Sequence, residues 1–276
     1  MDRIRLIASD MDATLLDEQS QLPADFEETI HALAELDIRF APASGRPLYT
    51  LEAMFPTLQD ELVFIGDNGG AIRWKGQNLF TSEMSPEGWR ALNRLTREQG
   101  DIAVLCGLES AYVERPFAVH DAVLRHFYTK IEYVDRLEDV AAPADKFTIY
   151  LPQHNAQQAY DTVYASQRSI YSVAVAGECW VDIMNPGVHK GAALQTLGQL
   201  WGLPSESMMA FGDTYNDAEM LQTVRYGFLM ENGSEPLRQK VPFLAPSHRE
   251  AGVMQVLHRV LAQNGCVCPE DFIPAH

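Results

Sequence analysis

The stretch Arg5–Glu18, RLIASDMDATLLDE, decides how the rest of the chain is read. A short apolar run ends abruptly in two aspartates one residue apart, Asp10 and Asp12. Thr14 follows, and the chain then turns apolar again. A run of this length bounded by turn-forming residues reads as a buried strand. Taken alone, the acidic cluster is ordinary turn chemistry, because Asp and Thr side chains hydrogen-bond nearby backbone groups. The choice between a turn and a site rests on whether other strand ends supply partners.

Strands and helices alternate on either side of that stretch. IRLIAS (4–9) reads as a strand and PADFEETIHALAEL (23–36) as a helix with Pro23 near its start. IRFAPAS (38–44) is a second strand, RPLYTLEAMF (46–55) a helix opened by Pro47, and LVFIGDNGG (62–70) a strand running into a turn. This alternation predicts a parallel sheet flanked by helices. From about Ser82 to Pro186 the pattern changes. Helix 86–99 precedes short strands at 102–106 and 111–115; helix 119–128 and strands 130–134 and 146–151 follow; helix 155–167 then precedes strands 171–176 and 179–184. The segment predicts a separate α+β unit, with a hairpin after a helix at each end. Helix 187–204, strand 208–213, helix 216–224, strands 226–230 and 243–245 and helix 249–265 return to the first style. The expected architecture is a discontinuous α/β unit, 1–83 and 187–276, with an α+β unit, 84–186, inserted between its halves.

Four strand ends carry chemistry, and ligands bind outside the carboxyl ends of strands in open parallel sheets. The first is ASDMDAT. In the second, APASGRP, Ser44 and Gly45 precede a helix, so a hydroxyl and free N–H groups can meet an anion. In the third, GVHKG, Lys190 starts a helix, against the local electrostatic preference of a helix N-terminus. Local rules are broken this way mainly at functional positions. The fourth, AFGDTYND, brings Asp213 and Asp217. Each has an innocent reading as a turn or a cap, but all four in this order are hard to explain so.

The composition narrows the partners. The chain has 276 residues, 46% hydrophobic and 21% charged, with a formal charge of −17. So acidic a chain is a poor partner for nucleic-acid backbones or anionic membranes. No apolar run is long enough to span a bilayer, and aspartates interrupt the N-terminus where a signal peptide needs an apolar stretch. The expectation is a cytoplasmic protein, a monomer or weak homodimer, acting on a small molecule. Cys106, Cys179, Cys266 and Cys268 lack the spacing of a disulfide framework or a zinc site, so reduced thiols are expected.

The convergent groups suit phosphoryl transfer. Asp10 and Asp213 would offer the hard oxygens Mg²⁺ prefers, while Ser44, backbone amides and Lys190 would hold phosphate charge. One carboxylate can act as nucleophile and another can move the proton. Here the sequence resembles the haloacid dehalogenase superfamily of phosphohydrolases. Its D-x-D-x-T motif is matched by Asp10 to Thr14, its strand-end Ser/Thr by Ser44, its Lys by Lys190, and its G-D-x-x-N-D by Gly212 to Asp217. The insertion after the second motif, and the wording SGRP, NGG, HKGAAL and FGDTYND, resemble the Cof-type branch with its type IIB α+β cap.

The resemblance implies a Rossmann-like core under a cap and a Mg²⁺-dependent phosphatase of a small phosphorylated metabolite, such as a sugar phosphate. It implies Asp10 as nucleophile and metal ligand, and Asp12 as general acid/base and, through its carbonyl, metal ligand. Asp213 would be a metal ligand and Asp217 an outer-shell carboxylate. The Met11 N–H, Ser44, Gly45, Lys190 and Asn216 would hold phosphate or order the site, with Thr14 in support. Asn68 and Gly69 sit where the branch places a loop facing the cap. Ala13 departs from the family's usual Gly, and the expectation is that the backbone accommodates it. A phosphomutase on the same scaffold and a non-catalytic phosphometabolite binder are the alternatives. A signalling receiver domain is about half this length and lacks both the second aspartate and a cap. Arg115, Trp180 and Asp182 are candidate specificity residues in the cap.

Overall fold

The strand Leu6–Ser9 is buried at every position because it lies in the middle of a sheet, where both faces are covered. A computed structural model describes residues 1–276. In it Arg39–Pro42 and Met208–Gly212 flank that strand in parallel. Tyr226–Met230 and Phe243–Ala245 extend the sheet in parallel, and Ile273–Pro274 closes the edge antiparallel. Beyond Arg39–Pro42, a bridge from Ala43 to Ile65 aligns Val63–Gly66 in parallel. Strand order therefore reverses beside Leu6–Ser9, and a crevice opens where that strand and Met208–Gly212 end. Helices Phe26–Glu35 and Gly252–Ala262 cover one face through Phe26, Ile30, Leu33, Leu257 and Val260. Helices Lys190–Trp201 and Ala218–Thr223 cover the other through Leu194, Leu197 and Leu221.

The second sheet has six strands in the order Ser172–Val175, Trp180–Met184, Ala144–Tyr150, Ile102–Gly107, Ala111–Glu114 and Ile131–Val134. All neighbours are antiparallel except the last pair. The two predicted hairpins are thus halves of one sheet, joined through Ala144–Tyr150. Side chains alternate across a strand: Phe147 and Ile149 pack with Trp89 and Leu92 of helix Pro86–Gln99. Lys146 and Thr148 point to the opposite face, where Thr148 lies directly across from Asp182. The core is an α/β sheet and the insertion an α+β cap.

Several elements differ from the sequence reading, among them the edge strand Ile273–Pro274, where none was predicted. Residues 71–81, which carry no predicted element, form a hairpin of Ala71–Trp74 and Gln77–Thr81. Lys75 and Gly76 both have positive φ, 50° and 71°, the geometry that two-residue hairpin turns favour. The helix predicted over 119–128 starts at Asp121, after a tight turn over Arg115–His120. The one predicted over 155–167 is α-helical only over Ala156–Thr162, because Val163 leaves helical geometry at φ −123°.

Candidate active site

Asp10 follows the buried strand, and Asp213 follows the neighbouring one, so parallel pairing carries both carboxylates to one edge. Asp217 returns to the same place because the chain turns tightly after Gly212. A Cβ on Gly212 would lie 2.4 Å from the Asp217 Cβ, closer than packed atoms allow. Asp217 Oδ2 accepts the backbone N–H groups of Asp213 at 3.1 Å and Thr214 at 3.3 Å. Its Oδ1 accepts from Lys190 Nζ at 2.7 Å. The same Nζ donates to Asp10 Oδ1. One fully buried cation therefore bridges two carboxylates, and Asp217 is fully occupied from behind the site.

Oxygens of Asp10, Asp213 and Asp217 lie within 4.8 Å of one another. Three buried carboxylates against one lysine leave an excess of negative charge. Burial, reinforced by Asp217 and opposed by Lys190, pushes Asp10 up to about 8. Burial and Asp217 likewise push Asp213 up to about 6. Burial works against the Lys190 charge, but Asp10 and Asp217 outweigh it and its pKa is raised. The misplaced lysine of the sequence is thus the counter-ion of this cluster, and removing it would leave Asp10 and Asp217 buried without a cation, a larger cost than the small opposing helix dipole.

Asp12 behaves differently. Its side chain is 59% exposed and faces the cleft, and Arg46 Nη2 donates to its Oδ1 at 2.9 Å. Arg46 comes from the SGRP turn and was not among the residues singled out in the sequence. Its signal was its place two residues after Ser44. Ser44 is buried; its Oγ accepts the Arg46 N–H at 3.2 Å. The Met11 side chain is buried in the core, which leaves only its backbone for a ligand, and Thr14 is buried behind the loop. Asn216 is exposed at the cleft and accepts from Thr214 Oγ1 at 2.5 Å. Ala13 has φ 57° and ψ 14°. It occupies the left-handed region, where a methyl group costs roughly 1–2 kcal/mol, so the loop takes alanine at a cost.

A cavity of about 730 Å³ spans this edge and the cap. Asp10, Asp12, Ser44, Gly45, Asp213 and Asn216 line its core side. Trp180 and Asp182 line it from the cap, as does Lys146, which sequence reasoning missed although the alternation Lys146-Phe147-Thr148-Ile149 signals a polar strand face. Arg115 does not belong to the cleft. It pairs with exposed Asp135 at 3.0 Å, because its tight turn follows a strand on the far side of the cap sheet. No helix is long and apolar enough to cross a membrane.

Comparison with known proteins agrees with this arrangement. Residues 7–257 match the family of haloacid dehalogenase-like hydrolases. The chain is 31% identical to the 5-amino-6-(5-phospho-D-ribitylamino)uracil phosphatase YbjI of Escherichia coli K12, over 94% of this chain and 96% of that protein. It is 30% identical to the HMP-PP phosphatase of Cronobacter sakazakii, over 87% and 89% of the two chains. Among solved structures, SMU.1108c of Streptococcus mutans UA159 superposes with a TM-score of 0.84 at 29% identity, covering 94% of this chain and 99% of that one. A HAD/COF-like hydrolase of Plasmodium vivax shares the fold, with a TM-score of 0.85 at 18% identity over 95% and 97%. The chain belongs to the haloacid dehalogenase-like hydrolases and is a phosphoric monoester hydrolase.

Proposed function

We propose that this protein is a Mg²⁺-dependent phosphatase that hydrolyses a small phosphorylated metabolite through an aspartyl-phosphate on Asp10. The observation that carries the reading is the convergence of Asp10, Asp213 and Asp217 around Lys190, with Asp12 held separately by Arg46. Residues 1–83 and 187–276 would form the catalytic unit and 84–186 the cap. Asn185 Nδ2, donating to Ser82 Oγ at 3.1 Å and Glu83 O at 2.8 Å, supports the placing of both crossings at one hinge.

The donor set fits Mg²⁺. Hard carboxylate oxygens converge, buried and with net negative charge that one lysine does not cancel. Asp10, Asp213 and the Asp12 carbonyl would hold the ion. When bound, it would neutralise charge on the phosphate and lower the repulsion between that dianion and the carboxylates.

The chain's own groups then have separate tasks. An Asp10 oxygen attacks phosphorus, and the bond from phosphorus to the ester oxygen breaks. Asp12 gives its proton to that leaving oxygen. It then takes a proton from the water that attacks the phosphoenzyme and frees Asp10. Lys190 holds Asp10 in place and offsets charge, Asp217 fixes Lys190, and Ser44, Gly45 and Asn216 surround the phosphate. Positioning and charge neutralisation are most of what phosphoryl transfer requires. Because Asp12 opens to the cleft, water can reach the phosphoenzyme, which favours hydrolysis over a mutase.

Release of inorganic phosphate from a panel of sugar phosphates in Mg²⁺ tests the reading. Wild type should turn over at least one ester, and folded Asp10→Asn none. Appreciable turnover by Asp10→Asn would sink the mechanism.

A further inference from the structure

The cap strand Ala144–Tyr150 carries one residue too many near its start. Ala144 faces Gly107 and Lys146 faces Cys106 on the neighbouring strand, so Asp145 is the extra residue of a bulge. Bulges re-aim side chains, and this one sets the Asp145 carboxylate against the core loop Asp67–Gly70. A Cβ on Gly70 would lie 3.1 Å from Asp145 Oδ2 and 3.4 Å from Asp67 Cβ. The bare glycine thus lets two aspartates, one from the core and one from the cap, approach each other. Neither lines the cavity beside Asp10, and the chemistry proposed above uses neither.

Asp145 is fully buried, and neither of its carboxylate oxygens meets a hydrogen-bond donor. Asp67 is buried too, with Oδ1 3.0 Å from Lys146 Nζ. That ammonium also donates to Gly45 O at 2.5 Å and lies 3.7 Å from Asp182 Oδ2. Asp182 has donors of its own in Thr148 at 2.8 Å and Asn68 at 3.0 Å. Three carboxylates therefore surround one cation, and Asp145 is the one without a partner. A charged carboxylate does not persist in such surroundings, whereas a proton placed between two neighbouring carboxyls satisfies both. Burial, with Asp67 adding to it, raises Asp145 well above the ordinary carboxyl range; burial raises Asp67 as well, against the pull of Lys146. The other titratable groups packed here are Tyr49 of the core and Cys106 and Tyr128 of the cap. Burial raises all three, so they stay neutral and supply no charge.

We infer that one proton held between Asp67 and Asp145 latches the cap onto the core, and that opening the cap releases it. Opening parts the two residues, and water then returns each carboxyl to its ordinary value of about 4. The closed form therefore carries one proton more than the open form at neutral pH. The latch holds at low pH and weakens as pH rises toward the raised pKa of the closed pair. Over that range each pH unit moves the balance about tenfold toward the open form. By the same linkage, a ligand that draws the cap shut takes up a proton. Two further bonds cross the boundary: Arg73 Nη2 donates to Glu109 Oε1 at 2.8 Å, and the Thr129 N–H donates to Thr50 Oγ1 at 3.1 Å. The second is a built-in reporter, because a core hydroxyl covers a cap amide only while the cap is closed.

Hydrogen exchange of the Thr129 amide in the full chain, followed by NMR, tests the latch without any turnover. Corrected for the intrinsic exchange rate at each pH, its protection in wild type should fall about tenfold per pH unit between about pH 6 and 8. Asp145→Asn, whose side-chain amide stands in for the protonated carboxyl, should show protection that does not change with pH. Asp67→Asn should flatten the profile in the same way, with circular dichroism confirming both folds. Wild-type protection that is constant over this range overturns the inference. So does a pH dependence that persists undiminished in either folded variant, because Asp10 and Asp213 are intact there and the titration would then belong to them.

Discussion

Arg46 and Asp12 meet across two strand ends, Nη2 to Oδ1 at 2.9 Å, with the arginine largely buried and the aspartate open to the cleft. A rigid guanidinium holds Asp12, for which we propose proton transfer, while Lys190 holds Asp10, the proposed nucleophile. The two aspartates of the opening motif thus pair with different cations, one exposed to the cleft and one buried.

Asp12→Ala should lower turnover of alkyl phosphates roughly 10²–10⁴-fold, the usual contribution of a general acid/base. Arg46→Met should cost about tenfold or more in kcat/KM by freeing Asp12. The double variant should be little worse than Asp12→Ala alone, because the two act as a unit. Additive losses in steady-state kinetics would show that Arg46 acts elsewhere.

Lys190→Met should destabilise the protein by about 3–5 kcal/mol in metal-free buffer, since it leaves Asp10 and Asp217 buried without a cation. Urea unfolding measures this. A variant as stable as wild type would mean that the carboxylates are neutral in the folded state.

Chelation should silence turnover and added Mg²⁺ should restore it, because convergent carboxylates repel a phosphate dianion unless a cation lies between them. Undiminished phosphate release after dialysis against excess EDTA would remove the ion from the mechanism.

Ala13→Gly should stabilise the protein by about 1 kcal/mol, because glycine adopts φ 57° without the methyl clash. Its kcat/KM should change by less than about tenfold, equivalent to roughly 1.4 kcal/mol. A shift in urea midpoint toward lower stability would place the alanine methyl in a favourable contact.

The hairpin at Ala71–Thr81 shows how far local pattern reached. Lys75-Gly76 between two apolar-rich runs was a readable turn signal, yet the preceding DNGG turn masked it. Helices with strong apolar spacing, such as Pro86–Gln99, matched their predicted bounds. Those with weak spacing, such as Ala156–Thr162, ended early.

By itself the sequence determined the strand ends and their residue types: Asp10, Asp12, Ser44, Lys190, Asp213 and Asp217 stand where an open parallel sheet presents ligands. Short-range rules suffice for that, since a strand, its end and the following helix are written in neighbouring residues. Only the tertiary structure decided the pairings: which carboxylates share Lys190, that Arg46 rather than a main-chain group holds Asp12, and that Arg115 lies outside the cleft. The cap's contribution was equally out of reach, because Asn68 and Asp182 are 114 residues apart and meet only once the two sheets pack. The sign of φ at Ala13 also belongs to the folded loop, since alanine's own preference points the other way.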